Sequence, residues 1–406
     1  MNMQILIKQP HLEKLPKGEK WRLTIHLEIE KGESHTLWYE IPSTFVDYLS
    51  TEVADTFVVA YLLYAMQHKY DIISERPVSS HLLAMLNEYL IPFLSGINKS
   101  LYPVKVIAQE YTGTFNGNHC GTGISCGVDS LSTVIYHGME EQVSSRRIDT
   151  LTLLNTGYYG HNEGNSEHYQ SYVSQSAQFC KKFGYAFLTV DSNVSNLTQY
   201  DFLSAHTYLT CSTLLLFQKY FHTYYYASGY PVFNFEPNFK DPAYYDTFLL
   251  NCISTASLDF VSSCSVLSRV EKTKLIAAHP DVVKHLYVCL SGDATHNCSK
   301  CEKCVRTMLA LEALGRRDVI ADVFDIEIYR KNRVRYMSYM LRNRRHKVYY
   351  KEIYDTMREN GLSIPALAYI NILPCQFELT NYKNRVKSLV KSSPLAEKIA
   401  RKMLSR

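Results

Sequence analysis

Four cysteines form the clearest chemical pattern in the sequence. Residues 289–306 read CLSGDATHNCSKCEKCVR, which spaces Cys289, Cys298, Cys301 and Cys304 as C-x8-C-x2-C-x2-C. Three thiolates in one tight turn and a fourth from the preceding segment can complete the tetrahedron that structural Zn²⁺ prefers, with no open position for water. The alternative, that these are small buried hydrophobic side chains, fits poorly with so polar a segment. We predict a zinc knuckle over residues 289–304, with His296 as a bystander.

A second pattern could bind phosphate. Residues 121–130, GTGISCGVDS, follow a β-prone run and precede a helix-compatible segment. A strand, a glycine-containing turn and a helix in this order present backbone N–H groups to an anion. Asp129 and Ser130 could then hold Mg²⁺ and a phosphate, respectively. The alternative is a tight turn without a ligand.

Three basic residues could assist that site. Arg269 and Lys272 lie three residues apart on a predicted helix, 269–278, and could contact the β- or γ-phosphate of a nucleotide. A solvated basic face is the alternative. Arg306 falls in a predicted helix, 304–314, that is apolar on nearly every side and stops at Gly315. A charge there needs a carboxylate, a carbonyl or a phosphate as its partner.

The glycine turn resembles a known loop. Residues 125–130, SCGVDS, are similar to the pyrophosphate loop (PP-loop) SGGxDS of the N-type ATP pyrophosphatases, which include argininosuccinate, GMP and NAD synthetases. Cys126 departs from that pattern, because it stands where the first glycine is usual. The resemblance implies that the ATP phosphates contact Ser125, Gly127, Val128, Asp129 and Ser130.

Within that group, the cysteine spacing is similar to that of the 7-cyano-7-deazaguanine synthases. Tyr159-Gly160-His161 also resembles the YGQ-type turn of that family, with His161 and Asn162 departing from it, and this implies a nucleotide contact at Gly160. The resemblance covers about residues 118–316. The flanking regions have no counterpart in the small synthases.

The resemblance implies an α/β fold with a doubly wound parallel sheet, of the HUP or adenine nucleotide alpha-hydrolase-like type. It also implies an ATP- and Mg²⁺-dependent carbon–nitrogen ligase. A carboxylate, expected to belong to a 7-deazaguanine-type compound, would attack the α-phosphorus of ATP and release pyrophosphate. Ammonia or an amine would then displace AMP to give an amide, and a second activation could give a nitrile.

Two alternatives remain open. Synthase-like proteins with added flanks resemble components of bacterial antiviral operons, in which a partner protein would be the acceptor. The other alternative is a non-catalytic scaffold that only binds nucleotide, for which Cys126 is the only support in the sequence.

The elements between the two patterns alternate between strand and helix. Strands are predicted at 120–125, 150–154, 185–190, 224–227, 258–262 and 286–289, with helices at 129–137, 166–183, 208–221 and 269–278. Such alternation favours a parallel sheet, whose ligands bind at the carboxyl ends of the strands. Polar residues at that edge could therefore touch the nucleotide or substrate: Asn155-Thr156-Gly157, Asp191-Ser192-Asn193 and Ser228-Gly229-Tyr230. They could equally be solvated loop residues.

The sequence predicts a central domain at 113–316 with one further region on each side. Residues 1–112 form an α+β accessory domain, with a hairpin over 21–41, helices at 46–68 and 79–94, and a strand at 104–111. Residues 317–406 form a helical basic region, whose tail has eight Lys or Arg residues and one acid, Glu397. We expect either flank to pack or to bind a partner protein. Contact of the tail with nucleic acid or an anionic membrane is a minority alternative.

The composition of the chain limits which classes of protein it can belong to. The 406 residues include 46% hydrophobic and 20% charged residues, which excludes a disordered chain. A net charge of +4 is too small to argue for nucleic acid by itself. Eleven cysteines, an odd number with four in a metal pattern, favour a reducing compartment and predict a cytoplasmic protein. There is no signal-peptide pattern, and the longest apolar run, 56–66, predicts a buried helix.

Overall fold

The computed structural model describes residues 3–16, 18–30, 32–158, 167–289, 296–370 and 373–382. Contacts within the chain divide it into two compact units, Met1–Ser268 and Arg269–Arg406. The basic tail predicted beyond Tyr382 lies outside the described residues. No helix within the described ranges combines the length and the apolar character needed to cross a lipid bilayer.

All strands of the described residues belong to the first unit. They are β1 (Met3–Ile7), β2 (His11–Lys14), β3 (Lys20–Ile29), β4 (Glu33–Pro42), β5 (Tyr70–Ser74), β6 (Val78–Ser79), β7 (Val106–Ile107), β8 (Glu110–Tyr111), β9 (His119–Gly123), β10 (Thr150–Asn155), β11 (Ala186–Ser192), β12 (Phe221–Ala227) and β13 (Asp259–Ser263).

Eleven of these strands form one sheet in the order β13-β12-β9-β10-β11-β4-β3-β1-β5-β7, with β2 beside β3. The five strands from β9 to β13 are mutually parallel. When the five strands are numbered along the chain, their spatial order is 3-2-1-4-5. Successive strands are therefore added first on one side of β9 and then on the other. The structure is therefore mixed α/β with a mostly parallel central sheet, and the strand order reverses at β9, the position where ligands of such sheets usually bind.

The helices of the first unit cover both faces of this sheet. They are α1 (Asp55–His68), α2 (Ser80–Met85), α3 (Ile91–Ile97), α4 (Val128–Val134), α5 (Glu167–Phe183), α6 (Val194–Thr198), α7 (Phe202–Leu214) and α8 (Asp246–Ile253). Wider π-helical turns continue α2 over Leu86–Leu90 and α4 over Ile135–Met139. The apolar run 56–66 lies in α1 and is buried, as predicted.

The N-terminal strands extend the central sheet. The predicted hairpin is formed by β3 and β4, and β4 pairs antiparallel with β11 through Glu40 and Asp191. A shared core follows, because Phe57 of α1 and Leu209 of α7, each 1% exposed, belong to one buried apolar cluster. The N-terminal region therefore shares both sheet and core with the central strands. The domain boundaries at 112 and 316 remain predictions.

The regular elements among the described residues of the second unit are helices. They are α9 (Arg269–Ala277), α10 (Pro280–Val283), α11 (Glu302–Ala313), α12 (Arg317–Val323), α13 (Ile326–Asn343), α14 (Val348–Glu359) and α15 (Ala366–Ile370).

Gly315 ends the helix that follows the knuckle, and the Asn297 side chain holds the segment that precedes it. The helix α11 ends where Gly315 adopts a φ of 73°, a left-handed conformation that suits glycine. The strand predicted at 286–289 is wrong, because these residues do not join the sheet. The Asn297 side chain instead forms hydrogen bonds with the Val288 amide and the Leu286 carbonyl.

Candidate nucleotide and metal sites

The phosphate-loop candidate leaves the centre of the parallel sheet. Just beyond β9, the amide of Ile124 donates to the carbonyl of Thr152 at 2.9 Å, which fixes the end of β9 against β10. Gly121 is needed in β9, because an added Cβ would lie 2.5 Å from a ring carbon of Phe221. The turn at 125–130 therefore starts at the carboxyl edge, where the chain order reverses.

The turn opens a helix at its glycine. Gly127 is the N-cap of α4, with extended backbone (φ −79°, ψ 174°) and no side-chain capping bond. The first intrahelical bond runs from Leu131 N to the Gly127 carbonyl at 3.0 Å. The first turn of a helix lies outside the intrahelical ladder and carries partial positive charge. This geometry fits an anion in front of α4.

Two hydroxyls and one carboxylate accompany the turn. The Ser125 and Ser130 hydroxyl oxygens are 3.3 Å apart, and the Ser125 amide donates to the Ser130 hydroxyl at 3.4 Å. Ser130 is buried and also donates to the Gly127 carbonyl at 3.2 Å. Asp129 is half-buried in the first turn of the helix. Its carboxylate is of the type that Mg²⁺ prefers.

Cys126 takes the backbone conformation expected of a glycine. Its φ is 55°, in the left-handed region that side chains with a Cβ rarely adopt. Its side chain is fully buried, and burial raises the pKa of the thiol to about 12, with the Cys180 thiol contributing. Cys126 thus has a glycine-like backbone conformation and places an uncharged thiol inside the protein.

Asn155 lies at the same edge, at the end of β10. Its amide nitrogen donates to the Asp191 carboxylate at 2.8 Å, and burial raises the pKa of Asp191. Two residues later, Gly157 has a φ of 131°, and an added Cβ would lie 3.1 Å from Cβ of Ser195. A cavity of about 200 Å³ opens here, lined by Gly157, Ser195, Tyr200, Asp201, Phe202 and Leu209.

Three other polar residues at this edge have structural roles. Ser192 donates to the Trp38 carbonyl at 2.8 Å, and Asn193 accepts the Trp38 amide at 2.8 Å. Both residues therefore hold β4 against β11. Ser228 is buried, and its amide donates to the Ser263 carbonyl at 3.2 Å, which continues the pairing of β12 with β13.

The turn predicted at Tyr159-Gly160-His161 lies outside the described residues, as does Asn162. The nucleotide contact expected at Gly160 stays a prediction.

The four cysteines form one cluster in the second unit. The sulfur atoms of Cys289, Cys298, Cys301 and Cys304 all lie within 4.8 Å of one another. The Cys298 amide donates to the Cys289 sulfur at 3.4 Å, and the Cys301 amide to the Cys298 sulfur at 3.3 Å. Four convergent sulfurs with amide donors suit a tetrahedral thiolate site, so the cluster could hold Zn²⁺.

The helices after the knuckle support it. Ser299 is fully buried, and its hydroxyl accepts the amide of Asp325, the N-cap of α13, at 2.8 Å. The Tyr336 hydroxyl of α13 donates to the Ser299 carbonyl at 3.0 Å. The Glu302 carboxylate in turn accepts from Tyr339 and Lys347. The knuckle is thus built together with the C-terminal helices.

The predicted cations lie in the same unit. The guanidinium carbons of Arg269 and Arg306 lie 5.4 Å and 4.2 Å from the ring centroid of Tyr349. The Glu352 carboxylate accepts the Arg269 amide at 3.0 Å, and burial raises the pKa of Glu352. Lys272 is 1% exposed, whereas Arg269 is half-buried. The structure therefore brings Arg269 and Arg306 to one aromatic ring and places Lys272 in the interior.

Sequence reasoning missed several of these supporting residues. The sequence analysis did not single out Asn297, although its position directly before Cys298 was a usable signal for a residue that supports the cysteine cluster. Tyr349 and Glu352 lie more than forty residues beyond the knuckle. No spacing in the sequence connects them with Arg269 or Arg306.

One comparison with known proteins gave a match. Residues 249–356, about a quarter of the chain, match the model of a family of unknown function, DUF6395. The matched stretch runs from α8 into α14 and includes the four cysteines, both arginines and Tyr349. No curated protein and no solved structure matched the chain.

Proposed function

We propose that the protein is an ATP-dependent carbon–nitrogen ligase of the PP-loop kind, with a HUP-like central fold. The observation that carries the proposal is the placement of the turn at residues 125–130. It leaves the central strand of a 3-2-1-4-5 parallel sheet at the carboxyl edge, where the strand order reverses, and it opens a helix at Gly127. Ligands of doubly wound sheets bind at this position.

The residues of the turn would divide the work of binding ATP. The amides of the first helical turn, with the Ser125 and Ser130 hydroxyls, would bind phosphate oxygens. Asp129 would hold Mg²⁺, which when bound neutralises charge on the phosphates. Asn155 would contact the nucleotide beside the turn, and the contact predicted for Gly160 lies outside the described residues. Positioning and charge stabilisation provide most of the rate in such chemistry.

The reaction has two parts. A carboxylate oxygen forms a bond to the α-phosphorus, the bond to the β-phosphate oxygen breaks, and pyrophosphate leaves. Ammonia or an amine then bonds to the acyl carbon, and AMP leaves with the electron pair of the broken C–O bond. We infer that the carboxylate belongs to a 7-deazaguanine-type compound, as the resemblance to the 7-cyano-7-deazaguanine synthases implies.

Arg269 and Lys272 remain the cations predicted for phosphate, and Lys272 lies in the interior of the second unit. Arg269 is the better suited, because it is half-buried and a guanidinium can bind phosphate through two hydrogen bonds. The four cysteines would hold a structural Zn²⁺, since four thiolates leave the ion no open position for catalysis.

The conformation of Cys126 favours the catalytic proposal over the scaffold alternative. The departure from glycine at this position was the only feature in support of a scaffold. A φ of 55° preserves the glycine-like turn, and the buried side chain leaves the front of the turn open.

The experiment measures ATP–pyrophosphate exchange and AMP release with Mg²⁺ and 7-carboxy-7-deazaguanine. We expect both activities in the unmodified protein and neither in Asp129→Ala, at unchanged melting temperature. Thr133→Ala, a buried change on the same helix, serves as the matched control and should keep both activities. AMP release that requires a protein partner would favour a protein acceptor. No AMP release under any condition would favour the scaffold.

A further inference from the structure

Three side chains form a hydrogen-bonded chain in the first unit, apart from the patterns described above. Nδ1 of His206 lies 2.7 Å from the Tyr226 hydroxyl, and Nε2 lies 3.5 Å from the Asp241 carboxylate. His206 belongs to α7, Tyr226 is the penultimate residue of β12, and Asp241 follows in the loop after that strand. Carboxylate, imidazole and hydroxyl in this order can transfer a proton.

The chain of side chains lies beside the phosphate-loop candidate. Tyr225 pairs with Thr122 on the neighbouring strand β9, so Tyr226 is level with Gly123, two residues before Ser125. Adjacent strands are about 4.8 Å apart. Tyr226 is thus next to the strand end from which the turn at 125–130 departs.

Tyr226 faces α7 because side chains alternate along a strand. Tyr225 stacks on His137 of the segment after α4, with ring centroids 3.8 Å apart. Tyr226 therefore points to the opposite face of the sheet, where it meets His206. On α7, His206 shares a helical face with Phe202 and Leu209, which line the cavity at the carboxyl edge.

Further hydrogen bonds position these groups. The Asp241 carboxylate also accepts the Ala243 amide at 3.0 Å, which fixes its position. If Nε2–H of His206 donates to Asp241, Nδ1 accepts a hydrogen bond from the Tyr226 hydroxyl. The Thr207 hydroxyl donates to the Tyr226 oxygen at 3.2 Å and also lies 3.3 Å from Nδ1.

Tyr226 stays a neutral phenol. Desolvation raises its pKa well above the ordinary value for tyrosine, and the bond from Thr207 offsets this only in part. Because the Tyr226 phenol does not carry a negative charge, it can give its proton to the His206 imidazole only while it receives a second proton from another group. The side chains of His206 and Asp241 are 18% and 16% exposed, which limits exchange of that proton with bulk water.

We propose that Tyr226, His206 and Asp241 form a proton relay that deprotonates the nitrogen nucleophile of the carbon–nitrogen bond-forming step. This inference rests on the proposed function. As nitrogen bonds to the acyl carbon and AMP leaves, an N–H proton moves to the Tyr226 oxygen and the phenol proton moves to Nδ1 of His206. The Asp241 carboxylate stabilises the resulting imidazolium. Tyr226 is the catalytic residue, and the other two act through it.

The relay predicts a split between the two parts of the reaction in Tyr226→Phe. With ATP, Mg²⁺ and 7-carboxy-7-deazaguanine, ATP–pyrophosphate exchange should persist, because adenylation does not use the relay. Ammonia-dependent amide formation should fall by about a hundredfold or more, the usual effect of losing a general base. Hydroxamate formation with hydroxylamine should persist, since hydroxylamine is largely unprotonated at neutral pH and reacts without a base.

Matched variants separate the relay from packing. Tyr225→Phe removes a buried hydroxyl from the same strand, one that donates to the Arg146 carbonyl, and should leave amide formation unchanged. His206→Gln keeps a polar side chain without a proton acceptor of useful basicity and should behave like Tyr226→Phe.

Two results would overturn the relay alone: unchanged amide formation in Tyr226→Phe, or equal loss of exchange and amide formation. Absence of exchange in the unmodified protein would overturn the proposed function and the relay together.

Discussion

The side-chain oxygen of Asn297 accepts the backbone amide of Val288 at 2.9 Å. The nitrogen of the same side chain donates to the Leu286 carbonyl at 2.8 Å. One amide side chain, directly before Cys298, thus satisfies two polar groups of the segment that carries Cys289. Cys289 is thus held against the other three cysteines by a side chain in place of a strand partner.

Asn297→Ala should therefore weaken the metal site while all four cysteines remain. Residues that position metal ligands typically contribute about 10- to 100-fold in affinity. We expect zinc to be lost to a chelator at correspondingly lower chelator concentration. Asn332→Ala, which removes a side chain that donates to the Ile328 carbonyl within α13, serves as the control. Identical chelator titrations for the two variants would contradict this role of Asn297.

Removal of one ligand should act on metal and stability together. Cys301→Ser leaves three sulfurs, and we expect zinc content and melting temperature both to fall, because binding of structural zinc contributes directly to folding. Cys375→Ser alters a buried thiol of the same unit outside the cluster, so it should lower stability without changing zinc content. Elemental analysis and thermal unfolding of both variants test this. Full zinc content in Cys301→Ser would rule out the site.

The cysteine cluster and the strand–turn–helix layout around residues 125–130 could be predicted because their patterns are local. Each is a short run of residues whose spacing carries the signal, as the convergence of Cys298, Cys301 and Cys304 illustrates. The pairing of β4 with β11 could not be predicted, because it joins Glu40 to Asp191, two residues that lie far apart in the sequence. Strand propensity predicts which residues form strands, but it does not predict which strands pair with each other.

The failed strand at 286–289 has a related cause. Leu286, Tyr287 and Val288 have strand-forming side chains, and they are buried as a strand would be. Their backbone partner is the Asn297 side chain, which no periodicity reveals. The relay was missed for the same reason, since His206, Tyr226 and Asp241 come from three separate elements and share no spacing.

Cys126 should tolerate glycine better than a branched side chain. Its φ of 55° costs a residue with a Cβ about 1–2 kcal/mol relative to glycine. Cys126→Gly relieves this strain but empties a buried position, so we expect a small net change in stability and retained ATP–pyrophosphate exchange. Cys126→Val adds a β-branched side chain to a left-handed residue and should lower both. Urea unfolding and exchange assays distinguish them, and equal behaviour of the two variants would contradict the left-handed turn.

His137 should make the fold sensitive to mild acid. It is 6% exposed and stacks on Tyr225, and burial lowers its pKa from 6.5 to about 4, although Glu141 favours the charged form. Between these values the unfolded chain binds more protons than the folded one, so stability falls as pH drops from 6.5 towards 4. The loss from this group amounts to about 3 kcal/mol at most. His137→Phe keeps the aromatic stack and should flatten the pH dependence of the free energy of unfolding in this range. His26→Phe, at an exposed position on β3, should leave it unchanged, and equal slopes in the two variants would show that His137 is not the group responsible.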